Sequence, residues 1–267
     1  MQDLDALVFI DTNIFLDFYR IRSGDVSVSY LKLIDDHRDR IITGSQVAME
    51  YKKNRQRVIL ESIRGMKNPD WNALGTPALL QNAQAAKMIE KKRKEVGSQQ
   101  NKLKEKITKI LKNPTYNDPV YQCLQRLFKS SSPYNLDRTN KQRFTIRRLA
   151  RKRWVLGYPP RKKDDTSIGD AVNWEWLVKC AELSGKDIII VTRDTDFGVA
   201  YEGESVLNDW LHQEFKERIS QKRGIYLTDR LSAAFKALSY PVTDEMVEEE
   251  ERILAETEIE DDDADRE

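Results

Sequence analysis

Histidine and cysteine are nearly missing from this chain. His37 and His212 are its two histidines and Cys123 and Cys180 its two cysteines, so a His-rich zinc centre lacks ligands and the cysteines have no metal-like spacing. Cys180 falls in an apolar helical stretch, and both thiols are expected to be reduced packing residues rather than a disulfide. Long apolar runs are missing too. None approaches the ~20 residues that cross a bilayer, and the opening MQDLDALVF has neither the basic start nor the apolar segment of a signal peptide. These absences predict a soluble, cytoplasmic protein with no membrane partner.

Net charge is also nearly absent, at +1, but that balance hides a steep asymmetry. Residues 52–163 carry 29 basic and 7 acidic side chains, whereas residues 242–267 carry 2 basic and 14 acidic ones. A stretch at +22 is an electrostatic footprint for a polyanion, or else a set of solvated helical faces. With 39% hydrophobic residues among 267, the chain has enough core for one large α/β domain and an insertion.

Carboxylates recur where secondary structure should collect them. Leu7–Asp17 (LVFIDTNIFLD) and Ile188–Phe197 (IIIVTRDTDF) each begin as a continuous apolar run, the pattern of a strand buried on both faces, and such strands release polar residues only at their ends. Asp11 and Asp194 stand at those ends. Glu50 lies in a helix expected over residues 46–64, and Asp170 opens a helix that is apolar nearly all round, over residues 169–183. The carboxyl ends of parallel strands are where open α/β sheets bind ligands. Like charges at about 4 Å repel by roughly 4 kcal/mol at an effective dielectric of about 20, so such a group calls for protons or a divalent cation. All-oxygen donors suit Mg²⁺ or Mn²⁺ better than Zn²⁺.

Between about residues 65 and 159 strand signals disappear. Helices are expected at 78–111, as one long helix or a pair broken near Gly97, and at 120–129 and 138–153. The α/β pattern resumes with a strand at 187–192, a helix at 205–221, a strand at 224–227 and a helix at 228–238. Residues 242–267 read as an acidic tail, disordered or helical only at its start. Such a tail competes with nucleic acid for the basic surface, solubilises the chain or receives a partner protein.

The pieces IDTNIFLDFYR (Ile10–Arg20), QVAMEYKKNR (Gln46–Arg55), GDAVNWEWL (Gly169–Leu177) and IIIVTRDTDF (Ile188–Phe197) resemble the PIN-domain nucleases, metal-dependent enzymes that cleave mainly RNA. The resemblance implies a PIN-like three-layer α/β/α fold with a mainly parallel sheet. It gives a nuclease domain over 1–64 and 160–241, a basic all-helical insertion over 65–159 and the acidic tail over 242–267. It matches Asp11, Glu50, Asp170 and Asp194 to the acidic quartet and Asp196 to a frequent fifth carboxylate. Asp11, Asp170, Asp194 and Asp196 become the expected ligands of Mg²⁺ or Mn²⁺, with Thr12, Asn13 and Thr192 as hydrogen-bonding support. Plain readings stand beside these: Asp170 as a helix N-cap, Glu50 as a surface helix residue, Asp194 and Asp196 as turn residues.

The expected activity is phosphodiester hydrolysis by an endoribonuclease. A catalytically inactive nucleic-acid-binding scaffold and a DNA-cleaving nuclease are the alternatives. Arg20, Arg55, Arg57, Arg151, Arg153 and Lys163 are the expected substrate-binding cations. In residues 147–163 (RRLARKRWVLGYPPRKK), Trp154 and Tyr158 interleave with basic side chains, so an exposed ring there has the means to stack on an unpaired base, though Trp154 suits a core equally. A homo-oligomer or a regulatory protein partner fits the same sequence.

Overall fold

The computed structural model describes residues 4–64, 77–161, 167–201 and 203–264. They form two compact units, one of residues 1–58 with 123–267 and one of residues 59–122.

In the first unit the apolar runs are strands, as their composition requires. Strand β1 (Ala6–Ile10) is buried along its whole length. It leads through helices α1 (Thr12–Asp17) and α2 (Gly24–Asp36) to β2 (Ile41–Gly44). Helix α3 (Ser45–Arg64) follows and crosses into the second unit, and α6 (Pro119–Phe128) returns from it. Strand β3 (Asn135–Leu136), α7 (Arg143–Leu156), α8 (Gly169–Ser184), β4 (Asp187–Val191), the hairpin β5 (Gly198–Tyr201) and β6 (Glu204–Leu207), α9 (Asp209–Arg218), β7 (Ile225–Thr228), α10 (Leu231–Ala237) and α11 (Asp244–Ala264) complete it. The main sheet has the order β3-β2-β1-β4-β7, and every neighbouring pair is parallel. Gly44 is required where β2 meets β3, because a Cβ there would stand 3.0 Å from that of Leu136.

The strand order reverses between β1 and β4, with Ile10 opposite Val191. Asp11 follows one strand and Thr192–Asp194 the other, so the polar residues emerge at the topological switch point. Helix α8 carries Asp170 at its first turn and is buried from Ala171 through Val178. Its Trp176 indole N–H donates to the carbonyls of Thr43 and Tyr134, both at 3.1 Å, fixing the helix against β2 and the edge strand. Cys123 and Cys180 are buried and free, and burial pushes the Cys123 thiol up to about 12.

In the second unit, α4 (Gln84–Lys112) is one helix running through Gly97 without a break, followed by the short α5 (Pro114–Asn117). It carries ten basic and three acidic side chains, and none of its residues is buried. This separate unit ends at residue 122, short of the expected 159. The reason is that β3 pairs with β2 and α7 packs on α8, which draws residues 123–159 into the first unit.

Two further expectations are corrected. The segment following Phe197 begins as the β5–β6 hairpin, and its helix starts only at Asp209. The acidic tail is helical over Asp244–Ala264 and docks on the domain. Met246 and Ile253 are buried, the Tyr30 hydroxyl donates to the Met246 carbonyl at 3.1 Å, and Arg252 donates to the Arg20 carbonyl at 2.9 Å. Buried Glu250 accepts from the Leu231 and Ser232 amides at 2.8 and 3.0 Å, capping α10 from another element. Glu250→Ala leaves both amides without that acceptor and should cost about 2–3 kcal/mol of stability. A lowered urea midpoint, with part of the loss restored in Glu250→Gln, checks this.

Candidate metal centre

The site is built from four elements. Asp11 is the N-cap of α1 and is 7% exposed. One of its oxygens accepts from the Thr12 amide at 2.6 Å. The other accepts from the Thr192 hydroxyl at 2.6 Å and from the Asn13 amide group at 3.1 Å. Thr192 Oγ1 in turn accepts from the Asp194 amide at 3.0 Å. A single hydroxyl thus joins the carboxylate after β1 to the loop after β4. Within that loop the Asp196 amide donates to Asp194 Oδ1 at 3.2 Å, so the turn that brings the two side chains together is held by one of them.

Asp170, Asp194 and Asp196 each offer an oxygen within 4.8 Å of the others. Glu50 is on α3, at the start of which its neighbour Gln46 donates to Oε1 at 2.6 Å, while Thr12 donates to Oε2 at 3.3 Å. The carboxylate lies against Gly169, where an added Cβ would stand 2.6 Å from Oε1, which puts Glu50 beside the residue preceding Asp170. The structure therefore brings all five sequence-selected carboxylates to one place. Asp11, whose oxygens accept from Thr12, Asn13 and Thr192, is not among the three whose oxygens converge.

Burial pushes the Asp11 carboxyl up to about 6, the neighbouring Glu50 and Asp194 charges add to the rise, and the bonds from Thr192 and Thr12 oppose it. The three convergent carboxylates are hard oxygen donors without nitrogen or sulfur, a set that fits Mg²⁺ or Mn²⁺.

The expected substrate-binding cations divide. Arg57 and Arg151 are exposed. Arg20 lies at the surface but its Nη1 donates to Asp17 at 2.7 Å. Two residues are turned inward, which corrects the expectation for them. Arg55 is 3% exposed and donates to the Tyr19 hydroxyl at 3.0 Å. Arg153 is 4% exposed, donates to Glu175 at 3.0 Å, and pairs with Glu214 and the Pro159 carbonyl. A guanidinium desolvated and engaged in this way does not reach a phosphate at the surface. Lys163 lies outside the described residues.

Residues not singled out from the sequence complete the site. Buried Asp17 pairs with Arg193 at 2.5 Å as well as with Arg20, tying α1 to the residue before Asp194. Gln46 and Gly169 frame Glu50. The helical spacing of Gln46 and Glu50, four residues apart, was a signal for the first of these.

A mainly parallel α/β sheet with carboxylates gathered at its switch point is an architecture of the PIN-like class. The family model for the PIN domain matches residues 8–197, a span that holds all five carboxylates, and the chain belongs to that family. Its members are nucleases, typically dependent on divalent metal. No curated protein and no solved structure matches the chain.

The Asp11 environment has a consequence for the metal-free protein. Its folded-state carboxyl, held near 6 against an ordinary 3.8, retains a proton that the unfolded chain has released. Stability should therefore fall as pH rises through that window, by on the order of 2–3 kcal/mol in all. Asp11→Asn cannot ionise and should flatten this part of the dependence, measured by urea denaturation in EDTA across the window.

Proposed function

We propose that the protein is an endoribonuclease dependent on Mg²⁺ or Mn²⁺. The observation that carries this reading is the convergence of Asp170, Asp194 and Asp196 oxygens within 4.8 Å of one another, beside Asp11 at the switch point. A bound divalent cation supplies a lowered pKa for its water and relief of charge on the phosphate. Asp170, Asp194 and Asp196 would hold it together with Asp11, which also fixes the loop through Thr192. Glu50, oriented by Gln46 and Thr12, accepts a hydrogen bond from the attacking water. In the reaction the water oxygen bonds to phosphorus, the bond from phosphorus to the leaving oxygen breaks, and the water proton ends on that oxygen. RNA as substrate rests on the resemblance to nucleases that cleave mainly RNA, and a cytoplasmic setting accords with two buried free thiols.

Asp194→Asn removes one of the three converging charges while keeping the side chain's size. Cleavage of single-stranded RNA in Mn²⁺ should drop by orders of magnitude with an unchanged circular dichroism spectrum. Hydrolysis that survives this substitution, or excess EDTA, would refute the reading.

Binding of the strand falls to exposed cations, among them Arg147, Arg148 and Arg151 on α7. Reversing these three to Glu should weaken RNA binding and lower the slope of log K against log salt by about 0.7 for each phosphate no longer neutralised. Arg153 is left out of that set, since its ion pairs hold α7 on α8. Titrations at several salt concentrations measure both quantities.

A further inference from the structure

Two large aromatic side chains lie exposed and touching, one of them at the start of the helix that follows the hairpin after the Asp194–Asp196 loop. Tyr158 is 38% exposed and Trp210 is 47% exposed, and their ring centroids are 5.1 Å apart at a tilt of 43°. Their position is fixed by the backbone. The Asn208 amide donates to the Phe197 carbonyl at 2.9 Å, closing the base of the β5–β6 hairpin, and Phe197 directly follows Asp196. The Asn208 side chain then caps α9, accepting from the Trp210 amide at 3.0 Å. Tyr158 comes from the other side, just past the end of α7, where its amide donates to the Arg153 carbonyl at 3.1 Å. The buried pairing of Arg153 with Glu175 and Glu214 anchors that end of α7 to α8 and α9.

We infer that the Tyr158–Trp210 pair is a stacking platform for an unpaired nucleobase of the bound strand. Leaving two such rings in water forgoes their burial, which is the largest available to any side chain. The surroundings supply what a strand needs. Arg151 and Lys152 are exposed on the preceding turn of α7, and Arg161, three residues past Tyr158, lies over the Trp154 ring at 5.2 Å. Cations that track phosphates beside rings that accept a base face form the combination by which single strands are held. A duplex keeps its base faces stacked and has none to offer. The inference rests on the nuclease reading for its account of why a strand must reach this place, but its test is one of binding.

The test uses the full chain in EDTA, where no cleavage intervenes. Trp210→Ala, Tyr158→Ala and Trp210→Phe are titrated with a short single-stranded RNA, the single-stranded DNA of the same sequence, and an RNA duplex of equal length. Both alanine variants should bind the single strands roughly tenfold more weakly, and Trp210→Phe should recover most of the loss. Because stacking releases no counterions, the salt slope should stay that of the parent, unlike that of the arginine reversals. Duplex binding should not change. Unaltered single-strand affinity in either alanine variant, or an equal loss for the duplex, overturns the inference. Should Trp210→Ala fail to fold by circular dichroism, Tyr158→Ala decides. Failure here leaves metal-dependent cleavage standing, and failure of cleavage leaves these binding constants readable. The two DNA and RNA arms report whether the platform distinguishes the sugar.

Discussion

Mutual repulsion among carboxylates at the β1/β4 switch point is the constraint that organises this protein. Five acidic side chains meet where two buried strands end. Each like-charge pair at close range costs several kcal/mol at ordinary effective dielectric. Around Asp11 and Glu50 the neighbours are neutral donors: Thr12, Asn13, Gln46 and Thr192 satisfy individual oxygens without cancelling their charge. The nearest arginine in sequence, Arg193, is drawn to Asp17, where it steadies the loop rather than filling the site. Such an arrangement leaves the charge of Asp11 and Glu50 uncancelled by these donors and holds the loop after β4 in place.

The cost of that arrangement is borne by burial around it. Helix α8 presents Asp170 at its first turn and is enclosed from Ala171 through Val178. The one charge within that enclosed stretch, Glu175, meets Arg153 from α7 and Arg218 from α9. Buried ion pairs are weak evidence for net stability, since desolvation consumes much of the attraction, but breaking one member strands the other. Their effect here is geometric. Three helices are tied together by one network, and the aromatic pair hangs on two of them, Tyr158 just past α7 and Trp210 in α9.

Much of this was legible in the sequence, for a physical reason. A strand buried on both faces must be a continuous apolar run, so LVFI and IIIV announced both the strands and the polar residues that end them. The apolar character of residues 171–181 likewise announced a central helix. Arg153 was harder to read because it sits in a dense basic run. Its helical phase, shared with Ile146 and Ala150, was the signal that it faces inward, and its acidic partner Glu175 stands in the very stretch whose composition reads as apolar. The acidic tail misled in the same manner. Its charge density suggested disorder, whereas Met246, Glu250 and Ile253 form one buried stripe at helical spacing, with Glu256, Glu251 and Glu249 paired to Arg22, Arg230 and Arg252. Average charge describes a helix's solvent face. Its fate is decided by the few residues on the other.

A phosphodiester approaching this centre meets two opposing fields. The carboxylates repel it, and the screening length at physiological ionic strength, about 8 Å, limits any attraction to charge within that reach. Attraction must therefore act close by, and Arg151, Lys152 and Arg161 on and after α7 are exposed. Exposed cations on α7, and neutral donors on Asp11 and Glu50, separate the two tasks of drawing a strand in and of keeping the centre negative. Lysines or arginines inside the cluster would perform the first by abolishing the second. In a chain with 45 basic residues, Asp11 and Glu50 thus take their side-chain hydrogen bonds from threonine, asparagine and glutamine, which leave the carboxylate charge in place.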